Sequence, residues 1–152
     1  MTEKKDVLEL RELDKDTFYA ICKLEVNEEQ KQNVAPNAFS IAQASFHDTA
    51  WFRGIYVDDE PVGFVMLNLD HEKPEYYLWR YMIDKRYQGK GYGKRALDEV
   101  VKFLNQFPKA AVLYSSVVPG EHSPMEFYMN YGFIETDEWE EDEKVIKLEL
   151  KK

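Results

Sequence analysis

Two apolar rhythms alternate along the chain. From Val7 to Leu13, the apolar residues Val7, Leu8, Leu10 and Leu13 alternate loosely with Glu9, Arg11 and Glu12, as in an edge strand. Asp14 or Asp16 can cap a helix predicted over Thr17–Val26, whose apolar face takes Phe18, Ile21 and Leu24. Asn27 to Asn37 is polar, contains Pro36, and reads as a loop or short helical turn. A second helix is predicted over Phe39–Asp48, with Ile41, Ala42, Ala44 and Phe46 available for burial.

The texture then changes to strands. Trp51–Val57, the turn Asp58–Pro61 and Val62–Leu69 form a hairpin pattern, and a second turn, Asp70–Pro74, leads into the aromatic strand Tyr76–Ile83. A glycine-rich turn follows, then a helix from Gly91 to Phe107 with Leu97, Val100, Val101 and Leu104 on one stripe, ended by Pro108. Ala110–Val117 reads as a buried strand. Ser123 and Pro124 open a short helix that Gly132 closes. Phe133–Thr136 and Lys144–Leu150 are the last strands, with the acidic run Glu138–Glu143 as a solvated turn between them. The order is β-α-α-β-β-β-α-β-α-β-β. No repeat, low-complexity tract or linker divides it, so residues 1–152 read as a single domain.

Composition narrows the class. At 152 residues with 44% hydrophobic and 14% aromatic content, the chain can build a sizeable core. No apolar run reaches the length of a membrane span, and the polar start Met1–Asp6 lacks the apolar stretch of a signal peptide. Cys22 is the only cysteine, which excludes an intrachain disulfide and favours a cytoplasmic protein. The formal charge of -9 argues against general nucleic-acid binding. Such acidity suits a cationic substrate, although solubility alone also accounts for it.

The chemistry concentrates in Arg86-Tyr-Gln-Gly-Lys-Gly-Tyr-Gly-Lys-Arg95, between the aromatic strand and a helix. Alternate glycines let a ligand approach the backbone. The free amides and dipole of the following helix, with Lys90, Lys94 and Arg95, favour phosphate oxygens. Gly91-Tyr-Gly93-Lys-Arg-Ala96 satisfies a dinucleotide fingerprint, but too little chain remains for a second nucleotide-binding half. The spacing does not allow a Walker A loop. A turn that merely permits tight packing would not need three glycines and three cations.

Tyr81-Met-Ile-Asp84 followed by Gln88-Gly-Lys-Gly91-Tyr-Gly93 resembles motif A of the GNAT family of N-acetyltransferases. Phe127-Tyr128-Met-Asn-Tyr-Gly132-Phe133 resembles the end of its motif B. The two stand at that family's separation, and the resemblance covers nearly the whole chain. Within the family it looks most like the bacterial spermine/spermidine (polyamine) acetyltransferases. The resemblance implies an α+β fold (α/β three-layer) in which a mixed, mostly antiparallel twisted sheet of about seven strands is flanked by four helices.

It also implies acetyl-CoA as cosubstrate, with no metal. The pyrophosphate would lie on Gln88, Gly89, Lys90, Gly91, Tyr92, Gly93 and Lys94. The pantetheine arm would pair with Tyr81, Met82 and Ile83 like an added strand, and Ser123 would touch CoA. A backbone N–H at a bulge would polarise the thioester carbonyl. Tyr128 is the implied general acid for the departing thiolate, since a phenol with a pKa near about 10 stays protonated until charge develops beside it. Packing alone would explain a lone helix tyrosine. The glutamate that some polyamine enzymes carry on the strand before the turn is here Trp79. The proton acceptor is therefore open among Glu25, Glu28, Glu72, Glu75 and a water chain, with Glu25 favoured because the first helix and its loop line the acceptor groove in that family. Where motif B often starts with asparagine this chain has Glu121, whose side chain is expected to turn away from the phosphates.

The remaining candidates are weak. His47, His71 and His122 lack metal-ligand spacing, His122 next to Ser123 suggests no triad, and Cys22 reads as a buried small apolar residue. The expected reaction is direct attack of a primary amine, such as that of spermidine or spermine, on acetyl-CoA in a ternary complex. A protein N-terminus, a lysine or another small amine is the alternative acceptor, and a non-catalytic acyl-CoA-binding module is the alternative class. A small cationic amine is the expected partner, and a homodimer is permitted.

Overall fold

The computed structural model describes residues 6–31 and 35–150. The element order is β1 (Leu8–Arg11), α1 (Phe18–Cys22), α2 (Asn37–Ala44), β2 (Ala50–Val57), β3 (Glu60–Asp70), β4 (Glu75–Ile83), α3 (Tyr92–Leu104), β5 (Val112–Val117), α4 (Met125–Tyr131), β6 (Ile134–Glu140) and β7 (Glu143–Glu149). Short 3-10 turns cover Glu28–Gln30 and Lys85–Tyr87. The strands form one sheet in the order β1-β2-β3-β4-β5-β7-β6. Only β4 and β5 run parallel; the other pairs are antiparallel. The α+β arrangement with four helices matches the expectation from sequence.

Both faces of the sheet are covered, and the side-chain alternation of β3 shows how. Phe64 and Met66 point to one face and pack with Ile21, Leu24 and Val26. Val65 and Leu67 point to the other, against Leu97, Val100 and Leu104 of α3. These three α3 residues are fully buried, as the apolar stripe predicts, whereas Val101 is half-buried.

The first helix departs from expectation. It has five residues and stops at Cys22 rather than reaching Val26. The Asp14 side chain holds the entry, accepting from the backbone N–H groups of Asp16 and Thr17 at 2.8 and 2.9 Å. Beyond Cys22, tertiary bonds replace the helix: the Glu25 amide donates to Asp84 Oδ1 at 2.9 Å, and the Lys85 amide donates to the Glu25 carbonyl at 2.9 Å. Ile21 and Leu24 are buried, but Phe18 is 43% exposed. In α2, which starts at Asn37 and ends at Ala44, Ile41 and Ala44 pack on the core while Ala42 and Phe46 face solvent. Cys22 is half-buried rather than buried.

The acidic run is also corrected. Glu138 to Glu140 belongs to β6 and Glu143 begins β7, so only Glu141 and Asp142 turn. Among the described residues, no helix is long and apolar enough to cross a membrane, and no His/Cys/Asp/Glu group is arranged to hold a metal ion.

Candidate active site

The site grows from the place where the sheet comes apart. β4 and β5 pair only at Tyr76–Leu113 and Tyr77–Tyr114. Beyond Tyr77 the strands diverge, and Ser115 Oγ bridges the opening by donating to the Leu78 carbonyl at 2.9 Å. At the same level the β3–β4 register slips between Met66 and Leu67, which pair with Arg80 and Leu78. Trp79 is thus the extra residue of a β-bulge, a device that bends a strand and re-aims its side chains.

A cleft of about 980 Å³ fills the divergence. Its walls are Leu78 to Ile83 of β4, Ser115 to Val117 of β5, and Ser123, Phe127 and Tyr128 from α4 and the turn before it. The glycine turn closes one mouth. Gly89 and Gly91 have φ of +81° and +82°, a region that penalises side chains, and a Cβ built on either would meet nothing within 4 Å. The concavity is therefore open, and its backbone shape requires glycine. The first intrahelical bond of α3 runs from the Arg95 amide to the Gly91 carbonyl, so the amides of Tyr92, Gly93 and Lys94 have no intrahelical acceptor. Such a cradle fits a pyrophosphate.

Side chains hold the turn in shape. Gln88 Nε2 donates to the Ile83 carbonyl at 2.9 Å and to Gln30 Oε1 at 3.0 Å. Asp84 is almost fully buried and accepts from the Glu25 amide, the Arg86 amide and Arg86 Nε at 2.8–3.0 Å. Burial raises the Asp84 pKa, but the bonds from Arg86 and the Glu25 amide outweigh burial and hold it below the usual carboxylate range. The Tyr81 hydroxyl donates to the Gly93 carbonyl, tying β4 to α3.

Of the residues predicted from sequence, Tyr81, Met82, Ile83, Gln88, Gly89, Gly91, Tyr92, Gly93, Lys94, Ser123 and Tyr128 all line the cleft. Lys90 does not. Arg95 is turned to the Asp6 carbonyl and the Tyr92 ring. Ser123 Oγ accepts from the Met125 amide at 3.2 Å, but the helix begins at Met125 with Pro124 as its N-cap, one position later than the sequence suggested. Glu121 is exposed, 3.7 Å from His122, and outside the cleft wall, as expected.

Tyr128 is 6% exposed, wedged edge-on between Phe127 and Phe133 with ring centroids 5.3 Å away on each side. Its hydroxyl forms no hydrogen bond among the described residues, and burial raises its pKa well above the ordinary phenol value.

Glu25 does not join the group. Its side chain is half exposed, 3.0 Å from Lys85 and 3.5 Å from Lys31, and lies outside the cleft wall. The Lys85 hydrogen bond lowers its pKa, which weakens it as a proton acceptor. Glu28, Glu72 and Glu75 are also outside the wall. The cleft instead contains Asp142 and Glu143, from the run read as a solvated turn.

A smaller chamber of about 360 Å³ adjoins the cleft, bounded by His47, Asn68, Tyr77, Trp79, Arg80, Ser116, Glu140 and Glu143. Among the described residues Tyr77 Oη and Arg80 Nε are buried there without a hydrogen-bond partner, and burial pushes the Tyr77 pKa up to about 12. The apolar–polar alternation of Ile146–Leu150 breaks at Val145 and does not reach Glu143. Nothing local in the sequence places it beside β4.

This fold and cleft define an acyl-CoA-dependent acetyltransferase class, and comparison with known proteins agrees. The sequence model of the Acetyltransferase (GNAT) family matches residues 7–133, and the chain belongs to that family. It is 33% identical over 104 residues to the spermine/spermidine N(1)-acetyltransferase of Bacillus subtilis (strain 168), covering 64% of this chain and 68% of the relative. In fold it is similar to the spermidine N-acetyltransferase of Vibrio cholerae, crystallised with CoA and spermine (TM-score 0.74, 16% identity, 94% of this chain and 95% of that one). It is likewise similar to the PaiA N-acetyltransferase of Thermoplasma acidophilum in complex with coenzyme A (TM-score 0.70, 17% identity, 94% of this chain and 99% of that one). The protein is therefore an acetyl-CoA-dependent N-acetyltransferase.

Proposed function

We propose that this enzyme acetylates a primary amine of a small polycation, of the spermidine or spermine class, by direct attack within a ternary complex. The observation that carries the reading is that the cleft lined by the glycine turn shares four lining residues, Trp79, Arg80, Ser116 and Glu143, with a chamber that bears the carboxylates of Glu140 and Glu143. The relative from Bacillus subtilis supports the choice of acceptor.

The chain's residues divide the work. The amides of Gln88, Gly89 and Gly91 to Lys94 receive the pyrophosphate, and the free edge of β4 from Tyr81 to Ile83 receives the pantetheine arm as an extra strand. A backbone N–H at the Trp79 bulge polarises the thioester carbonyl. Tyr128 gives its proton to the departing sulfur; its raised pKa keeps it protonated at neutral pH. Glu140 and Glu143 hold the cationic acceptor, an interaction that partial burial strengthens at Glu143.

Thiol release measured with a panel of amines tests the reading. Turnover with spermidine or spermine is expected. Turnover only with amino acids, peptides or monoamines would refute the acceptor class. Tight acetyl-CoA binding by calorimetry without thiol release on any amine would instead make the protein a binding module.

A further inference from the structure

We infer that Glu143, on the β6–β7 hairpin, is the proton acceptor of the transfer, in place of a carboxylate on β4. The inference rests on the transferase reading above. Position selects Glu143. The two cavities share four residues, Trp79, Arg80, Ser116 and Glu143. Glu143 is the only carboxylate among the four. An amine passing from the chamber toward the β4 bulge meets these residues at the junction. At the bulge itself stands Trp79, which cannot take a proton, with its indole edge-on to His47 at 5.0 Å. The other carboxylates each border only one space, Asp142 the cleft and Glu140 the chamber, and both are exposed.

Glu143 is held for the role. As the first residue of β7 it pairs with Glu140 across the tight turn, while β7 lies against β5. Ser116 Oγ donates to Glu143 Oε1 at 3.2 Å, leaving Oε2 free of that bond. The groups facing it are Arg80 and Tyr77 of β4, Ser116 of β5, Glu140 and Asp142 of the hairpin, and His47 after α2. Burial, chiefly, with the nearby Asp142 and Glu140, raises the Glu143 pKa against the opposing effects of Ser116 and Arg80. A more basic carboxylate narrows the proton-affinity gap to an amine with a pKa of about 10.

The step balances. The ammonium gives one proton to Glu143, and the lone pair this frees bonds the acetyl carbon. The carbon–sulfur bond breaks, and the sulfur takes a proton from Tyr128. The nitrogen, still positively charged, returns its second proton to the Tyr128 oxygen, and Glu143 releases its own to solvent.

The test is the pH profile of Glu143→Gln, a near-isosteric change that keeps an acceptor for Ser116. At pH 7 its kcat with the best amine is expected to fall about 100- to 10,000-fold. The acidic limb of the wild-type profile should be replaced by one set by the amine itself, with the rate rising toward the wild-type value as the solution approaches the amine's own pKa of about 10. Glu143→Asp should recover part of the loss, and acetyl-CoA affinity by calorimetry should not move. Activity within twofold of wild type at pH 7, or an equal loss at every pH, would overturn the assignment. Failure of the wild type to release thiol with any amine would overturn the transferase reading, and this assignment with it.

Discussion

Tyr128→Phe separates chemistry from packing at one atom. The substitution keeps the ring and therefore both edge-to-face contacts, with Phe127 and Phe133. It removes a hydroxyl that forms no hydrogen bond among the described residues, so no bonded partner is orphaned. The melting temperature should stay within the range of a change of about 0.5 kcal/mol. Turnover should behave differently. Positioned proton donors contribute about 100- to 10,000-fold, so kcat should fall by that factor while acetyl-CoA affinity holds. Burial raises the Tyr128 pKa, so the wild type should lose no activity through Tyr128 ionisation below the ordinary phenol pKa of about 10. Thiol release at saturating amine and acetyl-CoA, with calorimetry on the same samples, is the assay. Full turnover by the phenylalanine variant at neutral pH would refute the proton-donor role and leave Tyr128 a packing residue.

Gly91→Ala forces a side chain into φ +82°, at a cost of about 1–2 kcal/mol, and puts a methyl into the open cradle; calorimetry should show acetyl-CoA binding weakened by about tenfold or more. Asp84→Ala removes the acceptor for two amides and Arg86 Nε and should lower stability by about 1–3 kcal/mol in denaturant titrations at pH 7. Because the folded pKa of Asp84 is depressed, its contribution is complete above the unfolded carboxylate value of about 4 and is lost as the pH falls through the folded value. Wild type and variant should therefore converge in stability in strong acid, and a constant gap would contradict this. Leu97→Ala, at a fully buried position on α3, should cost about 2–5 kcal/mol in the same titrations.

What the sequence made legible was local. The α3 stripe, the β2–β3 hairpin and the glycine turn are each specified by residues close together in the chain, and each formed where its pattern placed it. The donor half of the site belongs to this class: Gln88 to Lys94 and the strand before them are contiguous. Where local pattern competed with tertiary bonding, tertiary bonding decided. The apolar spacing of Ile21 and Leu24 fits a helix, yet the chain leaves helix at Cys22 and is held by Asp84 and Lys85, about sixty positions away. Phe46 belongs to a helical apolar pattern but is 84% exposed, because the helix ends at Ala44.

The proposed acceptor half depends on topology, and Glu25 and Glu143 differ in how far the sequence shows their surroundings. Glu25 has a fixed place after the first helix, but Lys85 and Lys31 occupy its carboxylate at the surface. Glu143 sits in a run of acids whose exposed members, Glu140 to Asp142, give no hint that the fourth is half-buried. Its position follows from β7 inserting between β5 and β6, which brings the start of β7 next to Ser116 at the divergence of the sheet. The bulge residue Trp79 borders both the cleft and the chamber, as do Arg80, Ser116 and Glu143. A carboxylate is needed where an ammonium meets a thioester, not at a particular sequence position. With tryptophan at the bulge, the proposed acceptor comes from the β6–β7 hairpin, where Glu143 borders both spaces.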